Sequence, residues 1–463
     1  MRLLERWRKI AYSSGSLGSA LLSQAFGAFI LFFYEDTVKL PVAAVGTLFG
    51  LYGIWNAIND PLFGYLSDRT RTRWGRRVPY IALGFLPLAV SFALVWSPPV
   101  EAGTTPLLAY FFGIIFIFDG LYTLVILNWT ALFPEMFRTL EERAQVSAWR
   151  QIFTVVGALL GMAAAPLLYG SRLGWAGMGW LFALVAALSL GVSLLGSREG
   201  ATGRAGSEEA VLSPWLALRY TFSSRSFLFY VLTSFSLQLN FTLLPSVVPF
   251  FTKYVLRVGS TETSMLLGVI FVVAFLAMIP WSRVTVRIGA RAAIIRSAIL
   301  FALVLWGFLL VQTFAQALVV AALAGVGLAG QMMLLDVLIA DVIDEDELRT
   351  GVRREGMYFG MQALIIRLGI AVQALVMTLT QLLTGYDPHL AVQPPRALLG
   401  LRVLLGVVPS LFVAIGVVSM LYYPLWGPRL AEVRAQLAAR QAAGAVTPAG
   451  GPGASGPASG SGA

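Results

Sequence analysis

Twelve apolar runs of membrane-spanning length recur along the chain, at approximate limits 11–34, 42–66, 78–97, 106–133, 146–169, 174–196, 227–252, 263–281, 292–312, 315–340, 357–384 and 400–424. A helix needs about 20 such residues to cross a hydrocarbon core of about 30 Å. The pattern therefore predicts an all-α membrane protein with twelve transmembrane helices. The runs 292–312 and 315–340 lie closest together and are read as two spans. The longest internal polar stretch, Ser197 to Ser226, opens with SREGATGRAGSEE and separates six spans from six. It predicts an N-terminal six-helix bundle over 1–196, a linker over 197–226 and a C-terminal six-helix bundle over 227–426. Residues 427–463 form a tail whose Ala, Gly, Pro and Ser content predicts disorder from about Ala442, because it buries too little apolar surface to order itself. The basic opening MRLLERWRKI runs into an apolar segment too long for a signal-peptide core, so the first span is expected to stay uncleaved.

Charges interrupt this pattern at few places, among them Asp60 in the second run, Asp119 in the fourth, Arg150 in the fifth, Asp336 in the tenth and Arg367 in the eleventh. An ionisable group at membrane depth is costly without a partner, water or an ion, and marks a functional site by default. Asn56 and Asp60 are four apart and share one helix face, with Asn59 beside them. The bland alternative is a carboxylate dipping toward interfacial water, since Asp60 lies roughly 10 Å along the helix from Ser67. Asp341 and Asp344 are three apart at the end of the tenth run. Buried charges pair, so Arg367 is expected beside Asp341 or Asp336. Arg73, Arg77 and Arg353 are expected to form a cytoplasmic gate with these acids; the competing reading is a basic loop with solvated counterions.

The chain is 58% hydrophobic and 12% charged, with a mean hydropathy of +0.78, far from soluble composition. It has no cysteine, its one histidine is His389 in a predicted loop, and no GxxxxGK[ST] pattern occurs. Disulfides and cysteine-bound metals are excluded, and nothing suggests an enzyme or a cofactor. The net charge of +10 raises nucleic acid as a partner, but its placement fits membrane orientation. Of the 33 Lys and Arg, Lys39, Arg172, Lys253, Arg257, Arg396 and Arg402 fall on the side opposite the termini and Arg150 and Arg367 within the membrane. The other 25 share the side of the termini, which predicts both termini in the cytoplasm.

One repeat is visible. Arg69, Arg73, Gly75 and Arg77 recur as Arg283, Arg287, Gly289 and Arg291, at an offset of 214 residues and in matching loops of the two halves. Parallel halves of this kind are found in major facilitator transporters. The run GTLFGLYGIWNAINDPLFGYLSDRTRTRWGRRVPY, with IADVIDEDELRTGVRREGMYFGMQALIIRLG and NWTALFPEM followed by Arg150, resembles the glycoside–pentoside–hexuronide:cation symporter family. That resemblance implies two pseudo-symmetric six-helix bundles of the major facilitator fold. It also implies a coupling-cation site at Asn56 and Asp60, helped by Asn59 and Thr123. Only one of the family's two carboxylates survives there, which favours H⁺ over Na⁺, because a single partly desolvated carboxylate suffices for a proton. The family's two sugar-binding carboxylates correspond to Ala20 and Ile126 and are lost, whereas its arginine matches Arg150. A donor without acceptors suggests an anionic or amphipathic solute, such as a hexuronide or lysolipid, held by Arg150 with Asp119 and Trp129 nearby. Asp119 itself is read either as a second proton-binding group or as an ion-pair partner of Arg150. The resemblance gives Arg367, usually a lysine in the family, a part in coupling.

The expected function is secondary active symport of a sugar-derived or anionic solute by alternating access, in a bacterial-type inner membrane and as a monomer. The expected partners are the solute, the coupling cation and the bilayer, with no nucleic acid, no cofactor and no metal beyond a possible Na⁺ at Asp60. The alternatives are a lysophospholipid or drug transporter on the same fold, and a non-transporting receptor or scaffold. A scaffold has no need of five intramembrane charges.

Overall fold

The structure is a computed structural model describing residues 2–70, 72, 74–137, 139–198, 224–350 and 354–445. Twelve helices among them are long and apolar enough to cross a membrane. The first six are α1 (Glu5–Thr37), α2 (Val42–Ser67), α3 (Val78–Val95), α4 (Thr104–Met136), α5 (Glu141–Tyr169) and α6 (Gly174–Gly196). The second six are α7 (Arg225–Leu256), α8 (Ser260–Ile288), α9 (Ala290–Leu310), α10 (Phe314–Thr350), α11 (Met357–Thr384) and α12 (Pro395–Leu421). Helices satisfy their own backbone groups where lipid offers no partner. Outward-facing Leu83, Leu188, Leu276 and Leu303 stay exposed, as a lipid-facing surface requires.

The two halves repeat one packing scheme. In the first half α1 packs on α5 and α6, and α3 on α4 and α6. In the second, α7 packs on α11 and α12, and α9 on α10 and α12. The repeated glycines also match in conformation: Gly75 has φ 104° and Gly289 φ 83°, a region that favours glycine. Both α1 and α7 end in a π-helical turn, Phe32–Thr37 and Phe251–Leu256.

The halves meet along three seams: α1 with α7, α2 with α11, and α5 with α8. The last two exchange under the pseudo-twofold relation, so one interface is built twice. Small residues permit the approach. A Cβ on Gly53 would lie 2.5 Å from the backbone nitrogen of Ala371, and Gly46 abuts the side chain of Thr378. Ser246 donates to the carbonyl of Gly27 at 2.8 Å, and Ser264 to that of Ala163. These contacts lie in the half of the membrane away from the chain termini.

The expected tail begins with structure. Gly427–Ala445 is a further helix, α13, which packs on the end of α10. Arg429 pairs with Glu345 at 2.6 Å and Arg434 with Asp341 at 2.7 Å. Residues 446–463 and most of the expected linker, 199–223, lie outside the described residues.

Candidate functional site

The intramembrane charges of α2, α4 and α11 converge. Arg367 Nη2 lies 2.6 Å from Asp60 Oδ2, and its Nη1 donates to the carbonyl of Asn56 at 2.8 Å and to Asn59 Oδ1 at 3.3 Å. The side chains of the pair keep 27% and 26% exposure, so the contact is not sealed within the protein. Sequence reasoning placed Arg367 near Asp341 or Asp336. The structure corrects this: Asp341 is taken by Arg434 of α13, and α11 crosses to α2 of the opposite half. Asp60 Oδ1 and the hydroxyl of Thr123 on α4 are both buried and face each other; apart from Arg367, that hydroxyl is the only group beside Asp60 among the described residues that could donate to this oxygen.

Asp119 joins the same network. Its Oδ1 accepts from the Tyr52 hydroxyl at 3.1 Å and from Asn56 Nδ2 at 2.5 Å, while its Oδ2 accepts from Asn59 Nδ2. Each asparagine thus touches Asp119 with its amide nitrogen and Arg367 with an oxygen. Asp119 of α4 thus sets a carboxylate against the Asn56 amide of α2. Burial at 2% exposure is tolerable because charge-assisted hydrogen bonds satisfy both oxygens.

Of these groups Tyr52, Asn56, Asp119 and Arg367 border a cavity of about 260 Å³ between the halves. Its polar wall includes Gln24 of α1, Gln238 of α7 and Gln373 of α11, with Tyr52, Phe118 and Phe241 as aromatic surface. The glutamines were missed, although a primary amide at mid-span is the signal that would have found them.

Arg150 is elsewhere. Its guanidinium lies over the ring of Trp129 at 4.7 Å and that of Phe133 at 5.1 Å, within the first half. Trp129 is 2% exposed and donates from its indole to Ser193 at 2.8 Å. The expected contact of Arg150 with Asp119 is therefore replaced by aromatic faces, and neither Arg150 nor Trp129 lines the cavity. Among the expected gate residues, Arg77 pairs with Glu135 at 3.1 Å, also within the first half. Asp344 sits near the end of α10, and Arg73 and Arg353 lie outside the described residues. No cluster of three metal-ligating side chains occurs among the described residues.

Comparison with known proteins decides the family. The family model described as MFS/sugar transport protein matches residues 11–426. The chain belongs to that family. An uncharacterized symporter of Synechocystis sp. is 25% identical over 94% of this chain and 96% of its own. The isoprimeverose transporter of Lactiplantibacillus pentosus is 27% identical over 90% of this chain and 88% of its own. The crystal structure of a D-xylose-proton symporter superposes with a TM-score of 0.67 at 15% identity, covering 91% of this chain and 98% of that one, and this likeness shows the fold. The expected fold and symporter family stand, and this MFS/sugar transport protein is a membrane transporter rather than an enzyme.

Proposed function

We propose that this chain couples inward movement of a proton to symport of a neutral, polyhydroxylated solute of the glycoside class, by alternating access. The observation that carries the reading is the Asp60–Arg367 pair, which joins the two halves beside the cavity. Arg367 occupies the cation position of Asp60 as an internal surrogate. A proton arriving on Asp60 removes the attraction that holds α11 to α2, so ion binding and rocking of the halves become one event. A proton needs only one carboxylate lone pair. Na⁺ needs several oxygens, and Arg367 already engages both the Asn59 amide oxygen and the Asn56 carbonyl.

The cavity wall supports the solute class. Amides that both donate and accept, set beside aromatic faces, suit vicinal hydroxyls and sugar-ring faces. Arg367 is neutralised by Asp60 and Arg150 lies outside the cavity, so an anionic solute has no free cation to meet there. A volume of about 260 Å³ is at the small end for ligand sites and leaves little room for an acyl chain. The bias of Lys and Arg toward the side of the termini supports cytoplasmic termini in a bacterial-type inner membrane.

The test is uptake into proteoliposomes carrying Asp60→Asn. Uphill accumulation should vanish while exchange of solute across the membrane persists in part. Retained accumulation against a gradient would show that Asp60 is not the coupling group. A Na⁺ gradient that drives uptake at equal pH on both sides would transfer the role to Na⁺.

A further inference from the structure

A second set of buried acids lies far from Asp60, at the end of α1 opposite the termini. Val42, which starts α2 at that face, is eighteen residues from Asp60, or roughly 27 Å along the helix. There the π-helical turn of α1 meets the π-helical end of α7 and the end of α11. Asp36 is held by Lys253, by the hydroxyls of Tyr254 and Tyr386, and by Lys39 at 3.9 Å. Burial holds the Tyr386 hydroxyl protonated far above neutral pH, so it remains a donor. The charge of Asp36 is thereby answered by two lysines.

Glu35 is different. It is 0% exposed and forms no ion pair among the described residues, because the nearby cations are turned to Asp36. Its one partner is Gln381 of α11, whose Nε2 donates to Glu35 Oε2 at 2.9 Å. The other oxygens of the same two side chains, Glu35 Oε1 and Gln381 Oε1, are both buried and both without a hydrogen bond. Two acceptors cannot satisfy each other. A proton on Glu35 Oε1 would turn that oxygen into a donor, able to serve the amide oxygen while Oε2 goes on accepting from the amide nitrogen. An ionised Glu35 would leave a charge in a dry junction with one neutral contact, an expensive arrangement.

We propose that Glu35 is a second proton-binding site, which must be loaded for the seam opposite the termini to close. The ligand is a proton shared with Gln381, taken from the solution on that side while the seam is open. Other titratable or charged groups around the site are Tyr169 from α5, Lys39 after α1, Lys253 and Tyr254 from α7, and Tyr386 and Asp387 after α11. None donates to the orphaned Oε1. Closing is therefore favoured by acid on the outer side, independently of whether Asp60 is the coupling site.

The chain contains no cysteine, so Thr242→Cys in the cavity wall is a single reporter for a membrane-impermeant maleimide added from the side opposite the termini. Its rate is divided by that of Val392→Cys, a position exposed on that face, to remove the reagent's own pH dependence. The measurement is made with Asp60→Asn present, so that Asp60 contributes nothing to the pH dependence. The normalised rate should rise roughly tenfold between about pH 5.5 and about pH 8.5. Glu35→Gln reproduces the protonated acid, since its amide pairs with Gln381 in both directions, and should label slowly at every pH. Gln381→Leu removes the partner and should label fast at every pH. Difference infrared spectra should show a protonated carboxylic acid that Glu35→Gln abolishes, a readout that needs no labelling. A normalised rate flat with pH, a Glu35→Gln variant that keeps the slope, or an infrared band unchanged by Glu35→Gln would each overturn the proposal.

Discussion

Asp119→Asn tests whether the polar network is a single unit. The change preserves shape and removes one charge from a side chain that is 2% exposed. Asp119 Oδ1 serves Tyr52 and Asn56, so the new amide oxygen should settle there and keep those two bonds. The new NH₂ then faces Asn59 Nδ2, donor against donor. One charge-assisted hydrogen bond is lost, at about 1.5–3 kcal/mol, and a buried donor is left unsatisfied, at about 1–3 kcal/mol. Turning the Asn59 amide does not help, because its NH₂ would then meet Arg367 Nη1, to which its oxygen is now bonded at 3.3 Å. The expected cost is about 3–5 kcal/mol in SDS-titration unfolding of the purified protein. Asn59→Asp added to Asp119→Asn restores an acceptor opposite the new NH₂ and keeps one toward Arg367. The double variant should recover about half the loss, a coupling of at least about 1.5 kcal/mol in the mutant cycle. A single variant within about 0.5 kcal/mol of wild type, or a double variant that merely adds the two losses, would refute the network.

Two further predictions concern single residues. Gly53→Ala places a methyl against the backbone of Ala371, which cannot swing away, so the seam between α2 and α11 should fail to close. Labelling of a cavity cysteine from the side opposite the termini should rise, with the melting temperature little changed. Arg150→Leu should lower stability by about 0.5–2 kcal/mol through loss of its contacts with Trp129 and Phe133, while solute KM changes less than about threefold. A tenfold rise in KM at normal stability would instead return Arg150 to the solute site.

The spans were legible in sequence because crossing a membrane is a demand on local composition, and each run meets it without help from its neighbours. The motif around Asn56 and Asp60 also pointed to α2, whose Asn56 borders the cavity between the halves. What the sequence hid depends on how helices are rotated and paired. Arg367 follows the acids of α10 closely in the chain, yet its helix packs on α2, and no spacing rule expresses a contact across the pseudo-twofold axis. Asp119 resembled an ion-pair partner for Arg150 until the rotation of α4 set it among Tyr52, Asn56 and Asn59. Glu35 and Asp36 passed for the start of a loop, since a π-helical turn leaves no simple periodic mark. α13 escaped because its Ala and Gly content is weakly apolar, and its anchoring comes from charges on a partner helix.

That terminal helix makes the chain a caliper for its own motion. The start of α1 is tied to α5 by the bond from Lys9 to Gln145 at 3.1 Å, so it moves with the first half. Through Glu345 and Asp341, α13 is fastened to the second. A pair of dyes or spin labels, one near Arg8 and one on α13, would therefore span the two halves at the same face of the membrane. Their separation would follow the angle between the halves in a single molecule, with no label inside the transport path.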